Sequence, residues 1–108
     1  SKRGNKMNDM AYKKLPKCPV ETTMLFLKDR DSIILLGYIL SGVLEKCELI
    51  KMTAMSEKTY QKTLDTLLKN GLITCGRNVL PTELGKSLKP VILAMADWGE
   101  KYKTQQKN

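Results

Sequence analysis

The 108-residue chain contains no histidine. That removes the commonest general base at neutral pH and the commonest metal ligand, so a Ser–His nucleophile pair or a His-ligated zinc has nothing to be built from. Cysteine is scarce as well. Cys18, Cys47 and Cys75 are odd in number and widely spaced, which fits neither a disulfide framework nor a zinc pattern. No glycine-rich phosphate loop and no cluster of carboxylates compensates for these gaps, so the chain is not expected to be an enzyme, and no metal or cofactor is expected. Long apolar runs are missing too. The longest, Ile33 to Leu40, falls far short of the roughly 18 to 20 residues that cross a bilayer, and reads as a buried helix. The opening residues lack the charged-then-apolar pattern of a secretory signal, and the expected location is the cytoplasm with no membrane partner.

What is abundant is positive charge, a formal +8, but it is unevenly placed. Lys2, Arg3, Lys6, Lys13, Lys14 and Lys17 face only Asp9 within residues 1–17, and Lys101, Lys103 and Lys107 face only Glu100 at the other end. The body between them is almost neutral. Basic ends of this kind either strengthen phosphate binding without sequence preference or are simply solvated. The division that follows is a basic, flexible arm over 1–17, one folded domain over 18–103 and a flexible tail over 104–108. A domain this small hides only about 60 to 70% of the surface its unfolded chain exposes, so pairing with a second copy is a reasonable source of further burial.

Helices dominate the expected fold. Val20, Met24 and Leu27 share a helical face after Cys18-Pro19, with Glu21 in the first turn. A second helix, capped by Asp31 or Ser32 and ending at Gly42, is apolar nearly all round and must be central. Val43-Leu44 suggests a short strand, and Glu45 to Met52 a brief third helix burying Leu49 and Cys47. After the turn Thr53-Ala54-Met55, Ser56 is a good N-cap for a helix that turns Tyr60, Leu64, Leu67 and Leu68 inward and stops at Asn70-Gly71. Two helices joined by so short a turn, the second amphipathic, form a helix-turn-helix arrangement. Leu72 to Cys75 and Asn78 to Leu80 flank Gly76-Arg77 as a small β-hairpin wing. Thr82 caps the next helix, and Pro90 divides it into one segment through Leu88 and another to about Lys103. Leu84, Leu88, Val91, Ile92, Met95, Trp98 and Tyr102 make one long stripe across both.

Burying the apolar face of the helix after Ser56 turns Glu57, Lys58, Gln61, Lys62, Asp65 and Lys69 outward. Glutamine can pair bidentately with adenine and lysine with guanine, while Ser56, Thr59 and the helix N-terminus suit phosphate. Ser56, Lys58, Thr59, Gln61, Lys62 and the wing residue Arg77 are the candidate contacts to double-stranded DNA, beside the plainer alternative, which composition alone favours, that this is a solvated face of ordinary helix-favouring residues. Glu57 and Asp65 on the same face work against phosphate. Cys18, between Lys17 and a helix N-terminus, is a candidate reactive thiol, whereas Cys47 and Cys75 read as structural.

Several of these segments together resemble a known family. Cys18-Pro19-Val20-Glu21-Thr22-Thr23 is similar to the opening of the HxlR-type winged helix-turn-helix regulators. Ser56-Glu57-Lys58-Thr59, Leu64 and Asn70-Gly71-Leu72-Ile73 resemble their recognition helix and its exit, and Thr82-Glu83-Leu84-Gly85 with Leu88, Pro90 and Trp98-Gly99-Glu100 resemble their last helix. The resemblance implies a mainly α fold with a small β-hairpin, dimerising through its first and last helices, in which Met24, Leu88, Ile92, Met95, Trp98 and Tyr102 would form the dimer surface. It also implies a transcriptional regulator that binds an inverted-repeat operator, with Cys18 as a thiol sensor and an oxidant or small molecule as effector. Three departures stand out: Lys28-Asp29-Arg30 replaces a Gly-x-Lys-Trp element, Lys46 replaces an aromatic, and the wing is clipped to Gly76-Arg77-Asn78. The near-neutral body and short wing keep a rival reading open, a winged-helix protein-interaction module without DNA binding.

Overall fold

The computed structural model describes residues 15–107. The predicted basic arm lies outside them except for its last three residues. Six helices and one hairpin follow in order: α1 (Pro19–Leu27), α2 (Arg30–Leu40), α3 (Lys46–Thr53), α4 (Glu57–Lys69), β1 (Ile73–Cys75), β2 (Val79–Pro81), α5 (Glu83–Ser87) and α6 (Lys89–Lys107). The mainly α architecture with a small wing is the one the sequence implied.

Helix α2 is the hub, with Leu35, Leu36 and Ile39 fully buried against Leu49 of α3, Tyr60, Leu64 and Leu67 of α4, and Leu72, Ile73 and Val79 of the wing. It starts earlier than predicted. Asp29, not Asp31 or Ser32, stands at the N-cap position, and its carboxylate accepts from the Ser32 hydroxyl at 2.7 Å rather than from the backbone. Helix α3 buries Leu49, but Cys47 is exposed, because an eight-residue helix lying on a core offers it little more than one inward position per turn. Val43-Leu44 is not a strand. The Val79 amide nonetheless donates to the Leu44 carbonyl at 3.0 Å, so that segment satisfies one otherwise unpaired donor on the wing's edge.

In α4 the inward face is Tyr60, Thr63, Leu64 and Leu67, while Leu68 is partly in solvent. The stripe is therefore rotated slightly toward Thr63. In α1, Phe26 packs toward the core, and Val20 and Met24 are 66% and 57% exposed. Phe26 carries the largest apolar side chain of α1 and lies on the same helical face as Thr22 and Thr23, so that face wins the contact.

The hairpin pairs Cys75 with Val79 and Ile73 with Pro81, leaving Gly76, Arg77 and Asn78 as its tip, closed by a 3.1 Å bond from the Gly76 amide to the Asn78 carbonyl. As predicted, the segment divides at Pro90, which stands in the first turn of the new helix beginning at Lys89, and Leu88 is the joint between α5 and α6. Helix α6 then runs on to Lys107, so residues 104–107 are helical rather than the expected tail. Lysine and glutamine favour helix once a long segment has nucleated it, and residues 104–107 contain no proline or glycine to break it. At about 1.5 Å per residue its length is roughly 28 Å. This explains a radius of gyration of 15.4 Å, larger than the about 13 Å of a rounded domain of similar length.

Candidate nucleic-acid interface

The candidate reading surface is the solvent side of α4, and its position is fixed at both ends by local chemistry. At the start, Ala54 adopts a left-handed conformation (φ 60°) that closes α3, and its amide bonds back to the Ile50 carbonyl at 2.9 Å. The Ser56 side chain then accepts from the Thr59 amide at 3.1 Å, satisfying one of the unpaired donors of the new helix. At the far end Gly71 (φ 73°) supplies the left-handed residue, and the Leu72 amide reaches back to the Leu67 carbonyl at 3.0 Å.

The exit of α4 is locked further by the start of α5. The Thr82 hydroxyl donates to the Gly71 carbonyl at 2.7 Å and accepts from the Gly85 amide at 3.0 Å, while the Thr82 amide donates to the Leu72 carbonyl at 3.0 Å. Gly85 is buried, and a Cβ there would collide with the carbonyl oxygen of Leu72. The Thr82-Glu83-Leu84-Gly85 segment is thus a clamp that sets α4 relative to the last helix. This explains why threonine and glycine stand three residues apart.

Outward from this frame, Glu57, Lys58, Gln61, Lys62, Asp65 and Lys69 are all exposed, as the helical spacing predicts. Of the other candidate contacts, Ser56 is exposed, though its oxygen is already engaged as a cap and only its O–H is free to donate. Thr59 is half-buried. Arg77 is exposed at the wing tip, on the far side of the β1 strand that leads out of α4.

Two features were not anticipated from the sequence, and both concern the acidic residues that seemed unfavourable. Glu57 forms an ion pair with Lys46 across the inter-helix turn, at 3.2 Å. Both side chains are largely in water, so the pair adds only about 0 to 1 kcal/mol to stability, but it cancels a negative charge at the leading end of α4. Lys46 stands where the family resemblance led one to expect an aromatic. Asp65, in turn, accepts a 3.1 Å hydrogen bond from the Gln61 side-chain amide. The i, i+4 spacing of Gln61 and Asp65 could have signalled this pair, whereas Lys46–Glu57 depends on the turn geometry and could not be read from spacing. Net positive charge on this face comes from Lys58, Lys62 and Lys69.

Behind α4, the Tyr60 ring fills the core with 1% exposure, and its Oη has no hydrogen-bond partner among the described residues. Burial pushes its pKa above the ordinary 10.0, and the nearby Cys75 and Glu57 push it the same way.

The second candidate surface runs along α1 and α6. Trp98 and Tyr102 stack with their ring centroids 5.6 Å apart, yet remain 68% and 51% exposed, and Leu93 and Met95 beside them also face solvent. Leu88 and Ile92, which were assigned to the same stripe, instead pack against the protomer's own core. The stripe is therefore divided: Leu84 is exposed, Leu88, Val91 and Ile92 are half-buried, and Met95, Trp98 and Tyr102 are uncovered. Cys18 is exposed at the N-cap position of α1. Cys47 and Cys75 are exposed too, which corrects their reading as structural residues. Among the described residues no group of His, Cys, Asp or Glu could hold a metal ion, and no helix is long and apolar enough to cross a membrane.

Residues 26–107 match the HxlR-like helix-turn-helix family. The uncharacterized HTH-type transcriptional regulator YdeP of Bacillus subtilis (strain 168) is 36% identical over 95 residues, covering 80% of this chain and 74% of that protein. A solved structure of a candidate transcription factor (PA1374) from Pseudomonas aeruginosa has a similar fold, with a TM-score of 0.63 at 21% identity, over 84% of this chain and 67% of that one. With a capped helix-turn-helix, a three-stage return through wing and clamp, and a family match across three quarters of its length, the chain belongs to the HxlR-like helix-turn-helix family of transcriptional regulators.

Proposed function

We propose that the protein is a homodimeric, sequence-specific DNA-binding regulator that inserts α4 of each protomer into successive major grooves of an inverted-repeat operator. The observation that carries this reading is the α4 face itself. Lys58, Gln61 and Lys62 project from a helix capped at both ends, and the carboxylates of Glu57 and Asp65 are each engaged by a neighbour. A lysine can donate to guanine or phosphate, and the two free amides at the start of α4 add a positive helix end suited to a phosphate oxygen. Arg77 at the clipped wing tip is the candidate for an additional backbone contact.

Dimerisation is supported by the uncovered apolar residues of α1 and α6: Val20, Met24, Met95, Trp98 and Tyr102. A monomer has no reason to hold a stacked Trp–Tyr pair in water, and burying such aromatics is what anchors protein interfaces. Two copies related by a two-fold axis would present their α4 helices to half-sites about 34 Å apart or a multiple of it.

Binding titrations at controlled salt test this reading. Lys58→Ala and Lys62→Ala are each expected to weaken binding to a selected operator by about 1 kcal/mol or more, and log affinity is expected to fall with log salt at about 0.9 per phosphate contact. Unchanged affinity in both variants would remove α4 from the reading role. No mobility shift with any duplex at low salt and micromolar protein would favour a protein-interaction module instead. Cys18 is the site proposed for redox control: its thiolate would attack a hydroperoxide, becoming the sulfenic acid as the peroxide leaves as an alcohol. Cys18→Ser is then expected to abolish any loss of DNA binding on peroxide treatment, and a response that survives the substitution would exclude Cys18.

A further inference from the structure

The acidic residue on the reading face has a task that its charge alone would not suggest. Asp65 sits between two lysines at ion-pairing distance along the helix, Lys62 three residues before it and Lys69 four residues after it, and Asp-to-Lys at i, i+4 is the favourable orientation. Its carboxylate pairs with neither. It accepts from the Gln61 amide at 3.1 Å instead.

That choice determines which way the amide is turned. An ionised carboxylate can only accept, so Gln61 must present its nitrogen to Asp65 and cannot be flipped without placing its oxygen against a negative charge. One of the two N–H groups is used in this bond. The other N–H and Oε1 remain, a donor and an acceptor side by side on an exposed, solvent-facing residue. Adenine presents the complementary pair in the major groove, the N7 acceptor next to the N6 amino donor, and no other base edge there matches both at once. The neighbouring lysines are donors only and cannot make this distinction.

Resting on the DNA-binding reading above, we infer that Gln61 reads one adenine in each half-site and that Asp65 is the positioning residue that holds its amide in the reading orientation. The arrangement also accounts for the presence of a carboxylate on a face that must approach phosphates. Asp65 weakens binding to every duplex by repulsion and strengthens discrimination at one base pair, which widens the ratio between a correct and a random site.

The test is selection of bound duplexes from a random pool at fixed salt, with affinity for unselected duplex measured in parallel. Wild type, Gln61→Ala, Asp65→Ala and Asp65→Asn are compared, with circular dichroism to verify that these surface variants retain the helical content of the wild type. The wild type is expected to select adenine at one position per half-site by about ten-fold over other bases. Gln61→Ala and Asp65→Ala are both expected to lose that preference. Asp65→Ala is also expected to bind unselected duplex more tightly, because a repulsive charge is gone. Asp65→Asn can accept from Gln61 in one orientation and donate to its oxygen in the other, so it is expected to keep only part of the adenine preference while also binding unselected duplex more tightly.

An adenine preference that survives Asp65→Ala would overturn the positioning role. A selected sequence unchanged in Gln61→Ala, or a cytosine preference lost in Asp65→Ala, would overturn the assignment of the reader. Failure of every protein to bind any duplex would instead defeat the DNA-binding reading itself, and the inference with it.

Discussion

Helices α4 and α6 both carry an apolar stripe, but they dispose of it in opposite ways. The α4 stripe of Tyr60, Thr63, Leu64 and Leu67 is buried within the protomer, and the helix is closed at each end by a local device, Ser56 at the start and Gly71 at the exit. The α6 stripe is half-buried only as far as Ile92. Beyond it Met95, Trp98 and Tyr102 stand in solvent on a helix that projects from the body. One helix is completed by its own chain, and the other carries apolar side chains that its own chain leaves exposed. The same contrast divides the roles: a rigidly held helix can present donors at fixed positions, whereas an uncovered one can bring a second copy into register.

The largest effect is expected where these two regions are joined. Gly85 sits under the carbonyl of Leu72, and a methyl group there must push α5 away from the exit of α4. Gly85→Ala is expected to cost about 3 kcal/mol of unfolding free energy, the upper end for overpacking, because the obstructing atom belongs to the backbone and cannot rotate aside. Chemical denaturation measures it. A loss below about 1 kcal/mol would show that the clamp yields and does not fix α4 against the last helix.

A smaller effect, and one of a different kind, is expected in the uncovered region. Trp98→Ala is expected to leave the stability of the isolated protomer within about 0.5 kcal/mol, as for other exposed positions. Association of two protomers should weaken by about 2 kcal/mol or more, the usual cost of removing an aromatic anchor. Wild-type unfolding should then shift to higher denaturant as protein concentration rises, and the variant's should shift much less. Sedimentation showing the wild type as a monomer at high micromolar concentration would break the comparison, since α6 would then be exposed for some other reason.

The same contrast explains what could be read from the chain in advance. The boundaries of α4, the wing, the Thr82 cap and the break at Pro90 were legible because each is encoded within a few residues, by a cap, a glycine or a proline. The outward set Lys58, Gln61 and Lys62 followed from helical spacing alone. What was not legible depends on distant partners. Phe26 is the residue of α1 that packs toward the core, and Leu88 and Ile92 pack partly against it, because only the packed neighbours decide which part of an apolar face is covered. Cys47 and Cys75 read as interior residues on propensity and are exposed. The pairing of Lys46 with Glu57 arises from the angle between α3 and α4, which no spacing rule supplies.

The smallest effect is expected inside the well-packed region, at the one polar atom it does not satisfy. Tyr60 Oη is buried with no partner among the described residues, so the hydroxyl carries a desolvation penalty with no hydrogen bond to offset it. Tyr60→Phe removes the oxygen and keeps the ring, and is expected to change stability by between zero and about 1 kcal/mol in favour of the variant. The sign of the pH dependence sharpens this. The pKa of Tyr60 is raised in the folded state, first by burial and then by Cys75 and Glu57, so the folded protein retains the proton where the unfolded chain has begun to release it. Stability tied to this group is fully present below the unfolded value of 10.0 and is lost as pH rises above it. The advantage of Tyr60→Phe over wild type should therefore be small at about pH 8 and should widen at about pH 10.5, a difference in which the titrating lysines common to both proteins cancel. A variant that is less stable than wild type by more than about 1 kcal/mol at pH 8 would mean that the hydroxyl has a bonding partner, and that the α4 interior is held by a polar contact as well as by packing.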